Sequence, residues 1–166
     1  GRDVRLDRSV LDALVDPLLH MIRNALDHGI EPPAEREASG KDPVGLLSLE
    51  LERNGEELRI SVRDDGRGIS IERIRQAAID KGRLTPEAAA ALEPRRVIGL
   101  IFEPGMSTRE AVDGDAGRGA GLDAVRDIVS SMGGNIRIGT TVNEYCHFRI
   151  SLSPPAPGGA PEGAAA

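Results

Sequence analysis

The chain is nearly devoid of aromatic residues, with two Phe, one Tyr and no Trp among 166 residues. Stacking platforms for single-stranded nucleic acid are built from such rings, so that class of function is set aside. A formal net charge of −6 points the same way, because neutralising a phosphate backbone takes a basic patch. The one cysteine, Cys146, excludes an internal disulfide framework and fits a reducing compartment. It reads as a small apolar filler. No apolar run approaches membrane-spanning length, no signal-peptide pattern opens the chain, and no segment repeats. What is present, 39% apolar residues, suits one soluble domain expected in the cytoplasm. Opening on Gly1 rather than Met, the chain reads as a piece of something longer.

Alternation at Val4 and Leu6 suggests a strand, and Asp7 can cap a helix from about residue 8. Asp16-Pro17 is expected to interrupt that helix and restart it, with Asp16 as the cap and Pro17 in the first position. Gly29 then stops it. A short polar helix follows Pro32-Pro33 and closes at Gly40. Residues 44–64 alternate apolar and polar side chains around Asn54-Gly55, the pattern of a hairpin with one buried face. Ser70 caps a helix to about Lys81, Thr85-Pro86 starts another, and Pro94 a third reaching Phe102. From Glu103 to Gly119 periodicity vanishes, as in functional or mobile loops. A helix from about Ala120 ends at Gly133-Gly134, and "NIRIG" with "CHFRISL" forms a last hairpin. The predicted fold is α+β: a two-layer sandwich with helices on one face of a mixed, mostly antiparallel sheet. Residues 1–152 form the domain, and the Pro/Gly/Ala-rich 153–166 is linker.

Three stretches carry chemistry. In "HMIRNALDHGIE" (20–31), His20, Asn24, Asp27 and His28 fall on one helical face at about 100° per residue. Asn and Asp are weaker helix formers than the Lys and Glu of ordinary solvated faces. Asn24 supplies a neutral oxygen suited to Mg2+, which takes few protein ligands beside phosphates; the bland alternative is a hydrogen-bonded surface amide. In "DDGRGI" (64–69), Asp64 leaves a strand where a carboxylate can accept a hydrogen bond from an amino group such as adenine N6, with Gly66 and Gly68 leaving room for a flat ring. Taken alone, those residues read more readily as a plain polar turn, since Asp and Gly dominate turns. In "GDAGRGAGLDAV" (114–125), glycines precede a helix start whose free N–H groups attract anions. No Lys-Ser/Thr follows, so it is no Walker A loop, and a flexible turn is the competing reading.

Taken together and in this order, the stretches resemble the ATP-binding domain of the histidine kinase and Hsp90-type ATPase superfamily (GHKL, Bergerat fold), and more narrowly the CheA-like chemotaxis histidine kinases. "HMIRNALDHGIE" matches the N box, "DDGRGI" the G1 box, "IFEPGMST" the F box and "GRGAGLDAV" the G2 box, over roughly residues 1–152. The resemblance implies ATP and Mg2+ as ligands. Asn24 would hold the metal, with Asp27 and His28 beside it, and Asp64, Gly66, Gly68 and Ile69 would form the adenine pocket. Gly117, Arg118, Gly119, Gly121 and Leu122 would cradle phosphate. Phe102, Ser107 and Thr108 would belong to a lid.

Relatives that hydrolyse ATP carry a water-activating Glu four residues before the N-box Asn; here that place is His20, as in CheA-like kinases. The resemblance thus favours transfer of the γ-phosphoryl group to a protein histidine, with His20 as catalytic residue. None of His20, His28 and His147 looks like an exposed acceptor, so a separate histidine-bearing phosphotransfer domain is implied, in cis or trans. A downstream response regulator, a receptor-coupling protein and dimerisation through another domain of the parent are implied with it; nucleic acid and membrane insertion are not. One departure stands out: Tyr145-Cys146 occupies the place of the family's usual Gly-Thr pair. That departure supports a second reading, a non-catalytic ATP-sensing interaction module. A slow clamp-type ATPase is the third, disfavoured by His20.

Overall fold

A computed structural model describes residues 8–106 and 121–153. The elements run α1 (Arg8–Asn24), a π turn (Ala25–Gly29), α2 (Pro33–Ala38), β1 (Leu47–Asn54), β2 (Glu57–Asp64), α3 (Ile71–Asp80), α4 (Pro86–Ala91), α5 (Pro94–Gly99), a 3-10 turn (Leu100–Phe102), α6 (Leu122–Ser131), β3 (Asn135–Thr141) and β4 (Tyr145–Leu152). The four strands form one sheet in the order β1-β2-β4-β3. Each pairing among the described residues is antiparallel.

Alternation dictates which sheet face is covered. On β2, Leu58, Ile60 and Val62 are buried, and register sets them against Leu152, Ile150 and Phe148 of β4. α1 contributes Leu14 and Met21 to this core, and α6 contributes Val129. The other face displays Arg59, Arg63, Arg137 and Arg149 at exposed positions. The result is helices layered on one side of an antiparallel sheet, an α+β fold. β1 is an edge strand. Leu47 and Leu51 pack onto the core, but Leu49 stays 46% exposed, so the face expected to be buried is only partly covered.

Two of the expected helix caps form where the sequence places them. Ser70 Oγ accepts from Arg73 N at the start of α3, and Thr85 Oγ1 accepts from Ala88 N at the start of α4. Gly82 after α3 and Gly133 after α6 take positive φ, 65° and 73°. The hairpin turn centres on Gly55-Glu56, with Asn54 already paired to Glu57.

Asp16-Pro17 does not restart α1. The helix runs unbroken through Pro17. Leu14, Pro17 and Met21 share its buried side, so packing outweighs the one lost backbone bond. The strand expected at Val4 and Leu6, the cap at Asp7, and the linker beyond Ser153 lie outside the described residues.

Candidate functional site

The end of the core is where the apolar pattern breaks. The fourth inward row of the sheet joins Asp64 of β2, Cys146 of β4 and Thr140 of β3. Asp64 is 4% exposed. Burial pushes its carboxyl above the ordinary aspartate value, the Asp65 charge adds to this, and the N–H groups of Gly66 and Cys146 pull the other way. Gly66 N donates to Asp64 Oδ1 at 3.0 Å. An acid kept in an apolar layer costs stability, which such hydrogen bonds offset only in part.

The N-box stretch reaches the same place through its backbone. Ile30 N donates to Ala25 O at 2.7 Å, the i→i+5 bond of a π turn. Such turns cluster at functional sites. The turn delivers Gly29 against Asp64: a Cβ at position 29 would lie 3.3 Å from Asp64 Oδ1. Arg67 N donates to Gly29 O at 2.8 Å, tying the two stretches together.

The π turn also changes the polar stripe. His20 and Asn24 are half-buried on α1, whereas Asp27 and His28 sit exposed on the turn. The four residues therefore do not form one continuous α-helical face, because the turn alters the angle between successive residues. The exposure of His28 departs from expectation as well.

Gly66 and Gly68 stand where distant backbone comes close. A Cβ on Gly66 would run into the carbonyl of Gly29, and one on Gly68, where φ is 63°, into the carbonyl of Thr141. In the Cβ direction, then, these glycines make room for the protein's own backbone. Thr140 Oγ1 accepts from Ile69 N at 2.8 Å and donates to Tyr145 O at 2.9 Å. Asn143 N donates to Arg67 O at 2.8 Å. The loop after Asp64 is thus sewn to both the π turn and the β3–β4 turn.

Phe102 is 7% exposed and packs in the main core with Met21 and Val129, flanked by Ile69 and Leu122. It is a core residue here, not a lid surface. One cluster thereby gathers side chains from all four sequence boxes: Met21 and Ile22, Ile69, Phe102, and Leu122. Gly121 precedes α6 in extended conformation. Ser107, Thr108, Gly117, Arg118 and Gly119 lie outside the described residues.

Cys146 is buried at the site's edge, and burial, then the Asp64 charge, push its thiol up to about 12. It stays a neutral thiol at physiological pH. His147 points to the other sheet face; burial first, then Arg149 and Arg63, hold it below its ordinary value. A polar cleft of about 450 Å3 on that face is lined by Arg36, Lys41, Arg63, Asp65 and Tyr145. Arg63 lies 4.6 Å from the Tyr145 ring centre. Strand alternation turns Arg63 away from Asp64, so this cleft is separate from the Asp64 row. No group of three potential metal-binding His, Cys, Asp or Glu side chains exists among the described residues.

Sequence reasoning missed the side chains that hold the loop from behind. Arg36 and Lys41 grip the carbonyls of Asp65 and Gly66. Arg36, on a short polar helix, gave no sign of being 1% exposed. The only cue was a doubled acid, Asp64-Asp65, of which just one is needed for a ligand.

A family model described as "Histidine kinase-, DNA gyrase B-, and HSP90-like ATPase" matches residues 13–156. The chain belongs to that family. Among relatives of this ATPase domain, it is 44% identical to the chemotaxis protein CheA of Halobacterium salinarum over 92% of this chain and 23% of that protein. It is 44% identical to the gliding motility regulatory protein of Myxococcus xanthus over 90% and 19%, and 38% identical to the CheA of Bacillus subtilis over 92% and 23%. The chain thus spans roughly a fifth of these curated relatives. A nucleotide-free catalytic domain of the histidine kinase ThkA superposes with a TM-score of 0.50 at 18% identity, covering 86% of this chain and 66% of that one; the likeness is one of fold.

Proposed function

We propose that the chain is the ATP-binding catalytic domain of a CheA-like histidine kinase. It hands the γ-phosphoryl group of ATP to a histidine on a separate phosphotransfer domain. The observation that carries this reading is Asp64, a buried acid ending an otherwise apolar strand face, in a chain similar to CheA proteins over nine-tenths of its length.

In this reading Asp64 accepts from the adenine amino group with its carboxylate oriented by Gly66 N–H. Asn24, half-buried at the end of α1, is the protein's oxygen ligand for Mg2+. With no cluster of acidic or imidazole ligands among the described residues, such an ion would depend mainly on the nucleotide's phosphates. Bound Mg2+ would neutralise charge on the β- and γ-oxygens. Gly117, Gly119 and Gly121 supply backbone N–H groups to the phosphates. In transfer, an imidazole nitrogen of the acceptor bonds to the γ-phosphorus, the bond to the bridging oxygen breaks, and ADP leaves. His20, one helical turn before Asn24, stands where hydrolysing relatives place a carboxylate, so no acid is set to activate water there.

A response regulator would receive the phosphoryl group, a receptor-coupling protein would adjust the rate, and the parent would dimerise elsewhere in its length. The cytoplasm is the place of work this reading assigns; no helix among the described residues is long and apolar enough to cross a membrane. The test mixes the chain with a histidine-bearing phosphotransfer domain and labelled Mg-ATP. Phosphohistidine on that domain is the expected result. ATP binding without transfer supports the sensing module instead, and free phosphate without a labelled protein supports a clamp-type ATPase. Because His28 is exposed, the chain is also assayed alone; label on it would overturn the separate acceptor.

A further inference from the structure

Lys41 and Arg36 form a buried polar brace behind the Asp64 loop. The Lys41 ammonium has three donors, and three acceptors meet it: Glu31 Oε1 at 2.9 Å, Asp65 O at 2.9 Å and Gly66 O at 2.8 Å. Arg36 Nε donates to Asp42 O at 2.6 Å, Nη1 to Glu31 Oε2 at 3.1 Å and Asp65 O at 3.3 Å, and Nη2 to Asp65 Oδ2 at 2.7 Å. Asp65 Oδ1 accepts from Leu46 N at 2.8 Å. Four chain segments meet here: Glu31 two residues beyond the π turn, α2, the loop to β1, and the loop after β2.

Buried ion networks are weak devices for stability, since apolar replacements of similar volume often do as well. Geometry is what this one supplies. The same residue, Gly66, has its carbonyl held by Lys41 and its N–H bonded to the Asp64 carboxylate. The peptide that orients the acid is fixed from behind by two cations. We propose that Lys41 and Arg36 are positioning residues for base recognition, which rests on reading Asp64 as the adenine acceptor: they hold the Asp65–Gly66 backbone so that Asp64 presents its carboxylate in one orientation. The hydrogen bond to Asp65 holds Arg36 above its ordinary value. Burial works to raise Glu31 and Asp65, but hydrogen bonds and the facing cations leave both below their ordinary values.

The test measures Kd for Mg-ATP, Mg-GTP and Mg-tripolyphosphate on the parent chain and on Lys41→Met, Arg36→Met and Asp64→Asn. Each chain is checked for thermal midpoint. Lys41→Met is the deciding variant, because Lys41 is partly exposed and Arg36 still pairs with Glu31 in its absence. Its ATP affinity is expected to fall about fivefold, roughly the worth of one net hydrogen bond, with the ATP/GTP ratio moving toward one and tripolyphosphate unaffected. A merely structural role would weaken all three ligands in proportion, and that result overturns the proposal. So does an unchanged ratio in Lys41→Met while Asp64→Asn lowers it, which leaves the adenine reading standing. If Asp64→Asn itself leaves the ratio unchanged, the adenine reading falls and this proposal with it.

Discussion

The inward face of β2 holds two kinds of row. Leu58, Ile60 and Val62 meet Leu152, Ile150 and Phe148, and every member is buried and apolar. One step further, Asp64 meets Cys146, with Thr140 beyond, and an acid occupies the same geometry. The first three rows follow the rule that burial removes apolar area from water. The fourth breaks it, and the molecule spends an unusual number of contacts on holding that break in place: Gly29, Gly66, Thr140 and the Lys41–Arg36 brace. Local violations of folding rules concentrate at functional sites, and this one lies beside the side-chain cluster that unites all four sequence boxes.

Breaking an apolar row has the largest effect. Ile60→Ala should cost about 2–5 kcal/mol of unfolding free energy, read by urea denaturation, with ATP affinity per folded molecule unchanged. A cost below 1 kcal/mol would mean the rows are not the core. Breaking the polar row should act the other way round. Asp64→Asn should weaken ATP binding about 10- to 100-fold, the equivalent of ~1.5–3 kcal/mol for a hydrogen bond to a charged group, without lowering the thermal midpoint. A loss of several degrees would assign the carboxylate to folding.

The pH dependence sharpens the contrast. Asp64 has a raised folded-state value, so its contribution to stability is present below the unfolded value and lost as pH rises through the folded one. The midpoint advantage of Asp64→Asn over the parent should therefore emerge as pH climbs above about 4, the ordinary aspartate range. Glu31 and Asp65 are lowered. Their contribution is present above the unfolded values and lost as pH falls through the folded ones, so both chains should lose stability together in acid. A midpoint difference that shrank between pH 4 and 7 would contradict the burial of a charged Asp64. The smallest effect is expected from Cys146→Thr, which puts a hydroxyl, a better donor than a thiol, beside Asp64. ATP affinity should rise by a factor of a few, about 0.5–1.5 kcal/mol at most. Weaker binding would show that the pocket's edge is fitted to the thiol.

Much of this architecture was legible from residue chemistry. Ser70 and Thr85 cap where hydroxyls precede helices, and Gly82 and Gly133 end helices where only glycine takes positive φ cheaply. The strands followed from period-two alternation. What stayed hidden depends on tertiary packing. Pro17 looks like a break until Leu14 and Met21 are seen to anchor both sides of it. The π turn has no sequence signature, yet it decides which N-box residues are exposed. Gly66 and Gly68 are visible in the sequence, but the backbone they make room for, the carbonyls of Gly29 and Thr141, comes from distant segments. Arg36 and Lys41 carry no local cue to their role because their partners lie up to 29 residues away.

The central claim is that the N-box end, the Asp64 loop and the α6 start surround one adenine-nucleotide cavity, on the helix side of the sheet. Amide chemical-shift mapping of the chain titrated with Mg-ATP tests it most directly. Shifts are expected at Asn24, Gly29, Gly66, Gly68 and Gly121, with Arg59 and Arg149 on the open sheet face unmoved. Shifts confined to Arg63, Tyr145 and their neighbours, or no shifts at saturating nucleotide, would contradict it.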